Sequence, residues 1–107
     1  MGITYDKIGP FHEGLAKVYR NGLIGFIDRN GDLISPIKWE DAGDFSEGLA
    51  CVADAESGLY GYIDTKGKEI IPFVWSAAHP FRNGKAEVAD EDDNWFFIDK
   101  NGNINTK

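Results

Sequence analysis

The chain repeats itself three times, and this repetition restricts the possible folds more than any other feature. Each copy opens with F-x-x-G, continues with an Ala and a Val, and then has an aromatic residue, Ile and Asp, with a Gly three residues after the Asp. The opening Phe recurs as Phe11, Phe45 and Phe81, and the Asp as Asp28, Asp64 and Asp99. We therefore expect three copies of one supersecondary unit of about 35 residues.

The segments within each copy predict strands and tight turns. The Asp suits the first position of a type I turn, and the Gly after it can take the left-handed conformation of a G1 bulge. Asn21-Gly22 is the pair that type I′ hairpins favour. The segments between turns are short and rich in Val, Ile, Tyr and Phe, as strands are. We predict that each unit is a three-stranded antiparallel meander, with strands in the second unit near 49–54, 59–64 and 68–71.

Alternation along the first strand predicts which face is buried. The Ala and Val of each copy point one way and are apolar every time, as in Ala16 and Val18. The alternate face varies in polarity, and we expect it to be partly solvated, including the single cysteine, Cys51. The second strand carries apolar residues on both faces, so we expect it to be covered on both sides. The variable positions are Leu15-Lys17-Tyr19, Leu49-Cys51-Ala53 and Lys85-Glu87-Ala89.

The connector between units is harder to assign. Trp39, Ala42 and Phe45 are three residues apart, so one helical or 3₁₀ turn is expected to place them on one side. Gly43 and Pro80 argue against anything longer.

These elements predict an all-β protein, a single repeat domain over residues 1–107. The meanders are expected to stack as an open, twisted, propeller- or solenoid-like array, since three units are few for a closed propeller of about four to eight blades. Closure by pairing with another copy is the alternative. In the third unit Phe96, Asn105 and Lys107 replace a Gly, an Ile and a Pro, as expected of a terminal cap. The predicted units span about 5–38, 39–74 and 75–107.

Composition excludes some classes of partner. The net charge of −7 opposes binding to a phosphate backbone, so nucleic acid is not expected. No apolar run approaches the ~20 residues of a membrane span, and no signal segment is recognisable. We expect a soluble chain that does not bind membranes. Its compartment is open: cytoplasmic by default, or exported if a leader was removed.

The combined pattern F-x-x-G-L-A-x-V and G-[YF]-I-D-x-x-G-x-x-I-x-P resembles the bacterial WG repeat family, also called KWG repeats. The Trp-Gly pair of the family name is replaced here by Ile24-Gly25, Tyr60-Gly61 and Trp95-Phe96. The resemblance implies tandem β-units, mostly without an assigned activity and generally presumed to bind other macromolecules. It supplies no catalytic residues.

The residues themselves indicate no enzyme, cofactor or metal site. His12 and His79 occupy different positions of the repeat and define no repeated site. Cys51 has no cysteine to pair with. Asp90, Asp92 and Asn94 have the spacing that opens an EF-hand loop, but Trp95 stands where that loop requires Gly. This argument excludes an EF-hand and leaves weak Ca²⁺ binding open.

Acidic residues concentrate in two equivalent hairpin loops, which we expect along one edge. They serve either solubility and protection of that edge or recognition of a basic partner. Trp95, beside the second loop, is the aromatic residue that we expect to be exposed. The predicted partner-binding residues are Asp54, Glu56, Asp90, Glu91, Asp92, Asp93 and Trp95.

Two functions remain in view. The first is a non-catalytic module that mediates protein–protein interaction through its variable face and acidic loops, with a homo-oligomer as one form of partner. The alternative is a carbohydrate- or cell-wall-binding module that uses exposed aromatic residues.

Overall fold

A computed structural model describes residues 5–105, which form eleven strands and no helix. The strands are β1 Lys7–His12, β2 Leu15–Arg20, β3 Leu23–Asp28, β4 Leu33–Ala42, β5 Leu49–Asp54, β6 Tyr60–Asp64, β7 Glu69–Trp75, β8 Ala77–Ala78, β9 Lys85–Ala89, β10 Trp95–Asp99 and β11 Ile104–Asn105. Lys107, which is predicted to replace the closing Pro of the repeat in the third unit, lies outside the described residues.

Within each sheet, the strands that are consecutive in sequence pair antiparallel. Strands β1 to β7 form one seven-stranded sheet, and β8 to β11 form a four-stranded sheet. Ser76 alone separates β7 from β8, and its N–H and hydroxyl both donate to the Ala89 carbonyl. The array is elongated, 49 × 27 × 19 Å, and within residues 5–105 its outer strands do not meet. The predicted all-β, open array of meanders is confirmed.

The Asp-Gly turns form as the sequence predicts. The Asp28 carboxylate accepts hydrogen bonds from the N–H groups of Asn30 and Asp32 at 2.9 and 3.0 Å. Gly31 follows with a φ of 86°, in the region that glycine occupies without strain. The Asp64 and Asp99 turns repeat these bonds. Local side-chain chemistry therefore fixes the same hairpin three times.

The opening F-x-x-G motif is itself a hairpin, which the sequence analysis missed. Glu47 and Gly48 both have positive φ, 56° and 83°, between the paired residues Ser46 and Leu49. Positive φ at both central positions defines a type I′ turn. Asn83-Gly84 repeats the geometry with the same dipeptide as Asn21-Gly22, a signal that was available in the sequence.

The expected helical or 3₁₀ turn in the connector is wrong. Strand β4 stays extended to Ala42 and pairs with two strands at once: Trp39 lies opposite Ile24 of β3 and also opposite Asp54 of β5. Sheet pairing uses the backbone groups that a helical turn would need. The shared burial of Trp39, Ala42 and Phe45 was predicted correctly.

A bulge in β4 explains a glycine of the repeat. Between the pairs Ile24–Trp39 and Phe26–Ser35, β4 contains two more residues than β3. The bulged segment of β4 passes so close to β3 that a Cβ on Gly25 would lie 2.8 Å from the Cγ1 of Ile37. In the third unit Phe96 stands at this position and packs against Trp75, with ring centroids 6.2 Å apart.

The variable face of the first strand is the interface between units. The prediction that it is partly solvated is wrong for unit two, where Leu49, Cys51 and Ala53 are buried. In unit one Leu15 is buried, while Lys17 and Tyr19 are partly exposed. Leu15 belongs to the core with Phe45 of the next unit, and Leu49 and Cys51 with Phe81. Cys51 is buried, which also overturns its expected exposure. Only in the third unit are the variable residues Lys85 and Glu87 exposed.

Candidate interaction site

Successive units join through one repeated aromatic contact. The Phe26 ring of the second strand meets Phe45 of the next unit edge-on, with centroids 4.8 Å apart and planes at 76°. Tyr62 meets Phe81 in the same way, at 4.9 Å and 71°. T-shaped pairs of this kind add about 0.5–1.5 kcal/mol to the effect of burial. Each unit therefore offers an aromatic face that receives the Phe of the following hairpin.

The third unit leaves this face open. Phe26 and Tyr62 are 1% and 0% exposed, whereas Phe97 at the same repeat position is 44% exposed and Trp95 is 47% exposed. Strand pairing explains why these side chains share one side: Phe97 lies opposite Glu87, and Trp95 opposite Ala89. The open end face, as we name it, consists of His79, Lys85, Glu87, Trp95 and Phe97.

Charged and aromatic groups alternate across the open end face. The Lys85 ammonium lies 5.4 Å from the Phe97 ring centroid, and the His79 imidazole stacks on the Trp95 indole at 5.4 Å and 21°. A groove of about 440 Å³ opens beside His79, Lys85 and Phe97. Such a groove can hold an apolar side chain and pair charges at its margin. Its lining residues are His79, Pro80, Arg82, Asn83, Lys85, Glu87 and Phe97.

The second acidic loop directly precedes Trp95. The Asp90 carboxylate accepts hydrogen bonds from the N–H groups of Asp92 and Asn94, and the Asn94 bond is the main cause that lowers the pKa of Asp90. This carboxylate is therefore occupied within its own turn. The side chains of Glu91, Asp92 and Asp93 are exposed.

The first acidic loop joins β5 to β6. The Asp54 carboxylate accepts hydrogen bonds from the N–H and hydroxyl of Ser57, both at 3.0 Å, while Glu56 is exposed. Across residues 5–105, no hydrogen bond or ion pair joins this loop to the loop at Asp90. The structure thus places Trp95 next to the loop at 90–93, and within residues 5–105 Asp54 and Glu56 form no hydrogen bond or ion pair with them.

A chain of glutamates links the F-x-x-G turns, and sequence reasoning missed it. The Glu13 carboxylate accepts hydrogen bonds from the N–H groups of Glu47 and Gly48, at 2.7 and 2.9 Å. The Glu47 carboxylate accepts from Asn83 and Gly84, at 2.6 and 2.8 Å. The Gly84 bond is the largest cause that lowers the pKa of Glu47. Each glutamate therefore caps the turn of the following unit.

Among residues 5–105, no three His, Cys, Asp or Glu side chains lie close enough to hold a metal ion together. His12 pairs with Asp44 at 3.3 Å. Burial raises the pKa of the Cys51 thiol to about 11, so it carries little of the reactive thiolate near neutral pH. In the described chain, no helix is long and apolar enough to cross a membrane.

The fold and these inter-unit contacts define a tandem β-repeat protein. A family model described as WG containing repeat matches residues 3–23, 24–53 and 60–93. The chain belongs to this family. No curated protein and no solved structure matches the chain.

Proposed function

We propose that the chain is a non-catalytic repeat module that binds another protein through its open end face. One observation carries the proposal: Phe97 is 44% exposed at a position where Phe26 and Tyr62 are covered by the next hairpin. A face that binds polypeptide twice within the chain is suited to bind polypeptide a third time. The expected partner segment is a β-hairpin or strand that presents an aromatic side chain to the groove.

The margin of the face indicates the charge pattern of the partner. Arg82, Lys85 and Glu87 line the groove, and the exposed acids at 91–93 lie in the loop before Trp95. Polar groups at the rim of an interface set orientation and association rate more than affinity. We propose that basic groups of the partner protein face the loop at 90–93. Asp54 and Glu56 contact a separate part of the same partner.

An alternative function, glycan binding, is favoured by one observation. Trp39 and Trp75 are buried, while Trp95 and Phe97 expose nearly half of their surface on one face. Aromatic rings in this arrangement can stack on sugar rings. The charged side chains within the same groove favour the protein partner over the glycan.

Affinity capture from the native host tests the protein-binding proposal. Immobilised wild-type chain is compared with the double variant W95A/F97A and with the matched control V74A, which shortens another exposed apolar side chain. We expect a protein that wild type and V74A retain and that W95A/F97A binds roughly 30-fold or more weakly, since one central aromatic residue alone contributes about 2 kcal/mol or more. Equal retention by all three chains would contradict the proposal.

Salt and fluorescence separate the two functions. Binding that uses the acidic loop weakens as salt rises, and the variant E91Q/D92N/D93N should lose much of that dependence. Glycan stacking instead predicts salt-independent quenching of Trp95 fluorescence by soluble glycans, with no quenching in W95F.

A further inference from the structure

Glutamate carboxylates cap the F-x-x-G turns of the second and third units, and within residues 5–105 the turn of the first unit has no such cap. The turn at Glu13 and Gly14 has φ values of 54° and 82°, close to the 56° and 83° of Glu47 and Gly48. Two turns of this geometry each receive a glutamate carboxylate on their paired N–H groups. Among residues 5–105, no side chain accepts a hydrogen bond from the N–H groups of Glu13 or Gly14. The first turn therefore presents the same two donors at the surface.

A basic side chain completes the cap at one of the occupied turns. Lys100 follows the turn aspartate of the third unit, and its ammonium donates to the Glu47 carbonyl at 2.8 Å and lies 3.7 Å from the Glu47 carboxylate. The residue at the same repeat position in the first unit is Arg29. Its guanidinium lies over the Phe11 ring, 5.0 Å from the centroid. Arg29 is thus placed to meet a carboxylate delivered to the first turn.

We propose that the N–H groups of Glu13 and Gly14, together with Arg29, form a carboxylate socket. Its ligand is the glutamate side chain of an F-x-E-G hairpin in another repeat-containing polypeptide. The exposed Phe11 ring lies beside this socket, and it would receive the aromatic residue of the incoming unit as Phe45 receives Phe26. Recognition therefore combines two backbone donors, one cation and one aromatic contact.

The partner is not a second wild-type copy joined end to end. The third unit carries Asn83 where the first two carry Glu13 and Glu47. Its short amide offers no carboxylate, and Lys85 and Glu87 make the same end polar. The socket thus selects a chain whose last unit retains the glutamate. This inference concerns the first unit and is independent of the proposal for the open end face.

Titration of the ¹⁵N-labelled chain with sodium acetate tests the socket, with sodium chloride at equal concentrations as the control. We expect saturable shifts of the Glu13 and Gly14 amide signals with acetate only. The Gly48 and Gly84 amides, which already have carboxylate acceptors, serve as internal controls and should not follow. Absence of a selective shift at Glu13 and Gly14 overturns the socket.

Two variants sharpen this measurement. R29T copies Thr65, the residue at this position in the second unit, and should weaken acetate binding about two- to fivefold. E47N copies Asn83 and should expose the third turn, so that the Asn83 and Gly84 amides now shift with acetate as well. Unchanged affinity in R29T would remove Arg29 from the site, and an unresponsive Gly84 in E47N would overturn the assignment of these turns as carboxylate sites.

A polypeptide probe tests the identity of the partner. Unlabelled N83E/K85L chain has the Glu and Leu of the first unit at its end, and it should perturb the Glu13 and Gly14 amides of the labelled wild-type chain. Unlabelled wild-type chain should not. Acetate binding without any response to N83E/K85L would overturn the repeat-unit partner and assign the socket to small carboxylates.

Discussion

The backbone of Ile34 in the first unit lies directly against Gly67 in the turn of the second. A Cβ added to Gly67 would overlap the carbonyl oxygen of Ile34, and the residue has a φ of 82°. Gly31 occupies the same turn of the first unit with a φ of 86°, yet a Cβ there would meet nothing within 4 Å. The repeat glycine therefore serves turn geometry in one unit and both turn geometry and unit stacking in the next.

Alanine at these two positions should separate the two roles. Both changes force a side chain into the left-handed region, which costs about 1–2 kcal/mol. Gly67→Ala adds a steric overlap with backbone that costs about 1–3 kcal/mol more. We expect urea denaturation to show Gly67→Ala less stable than Gly31→Ala by that additional amount. Equal midpoints and slopes for the two variants would mean that the units do not stack as described.

A serine determines whether the buried tryptophan of a unit has a hydrogen-bond partner. The Trp39 indole N–H donates to the Ser35 hydroxyl at 2.8 Å. In the second unit Ile71 replaces the serine, and within residues 5–105 the indole nitrogen of Trp75 is buried without a partner. Ser35→Ala should cost about 1–3 kcal/mol, because it leaves a second buried donor unpaired. Ser57→Ala, at an exposed loop serine, is the control and should change the free energy of unfolding by about 0.5 kcal/mol or less.

The sequence predicts the turns and strands well because their causes are local. Asp28 and Gly31 define a hairpin from within five residues, and nothing distant is required. The shape of the connector is not local. The three-residue spacing of Trp39, Ala42 and Phe45 fits a helical turn and a bulged strand equally well. The segment forms a strand because β4 pairs with β3 on one side and with β5 on the other.

The candidate site shows the same division. The exposure of Trp95 was expected from its place beside an acidic loop, whereas the open end face depends on which units stack on one another within residues 5–105. The hydrogen bond that the Glu47 N–H donates to the Glu13 carboxylate joins residues 34 positions apart, and no pattern of composition or periodicity indicates it. The glutamate at the third position of F-x-E-G was visible, but its role requires knowing that consecutive turns stack.

A buried and an exposed side chain should differ in how much stability is lost when each is replaced by alanine. Ile63 is fully buried in the core between units one and two, whereas Glu87 is exposed on the open end face. Ile63→Ala should cost about 2–5 kcal/mol, since it removes a buried side chain and leaves a cavity. Glu87→Ala should cost about 0.5 kcal/mol or less. Thermal and urea unfolding measure both, and similar losses would contradict the assignment of the two faces.

The buried thiol predicts a specific loss of stability at alkaline pH. Burial raises the pKa of Cys51 from 9.0 to about 11, so the folded chain keeps this proton at pH values where the unfolded chain has lost it. The stabilising effect is therefore complete below about pH 9 and disappears as the pH rises to about 11. Two pH units correspond to roughly 2–3 kcal/mol.

Cys51→Ala removes the thiol titration, while the other groups that titrate at high pH remain in the chain. The hydrogen bond to Asp41 raises the pKa of Tyr60 to about 12, and burial raises the pKa of Tyr62. Both tyrosines are present in wild type and in Cys51→Ala. The packing lost when the thiol is replaced by a methyl group changes the free energy of unfolding equally at every pH. The free energy of unfolding should therefore fall more steeply for wild type than for Cys51→Ala between pH 9 and 11. Parallel curves, or rapid labelling of Cys51 by a thiol reagent in the folded chain, would show that the thiol is not enclosed between the second and third units.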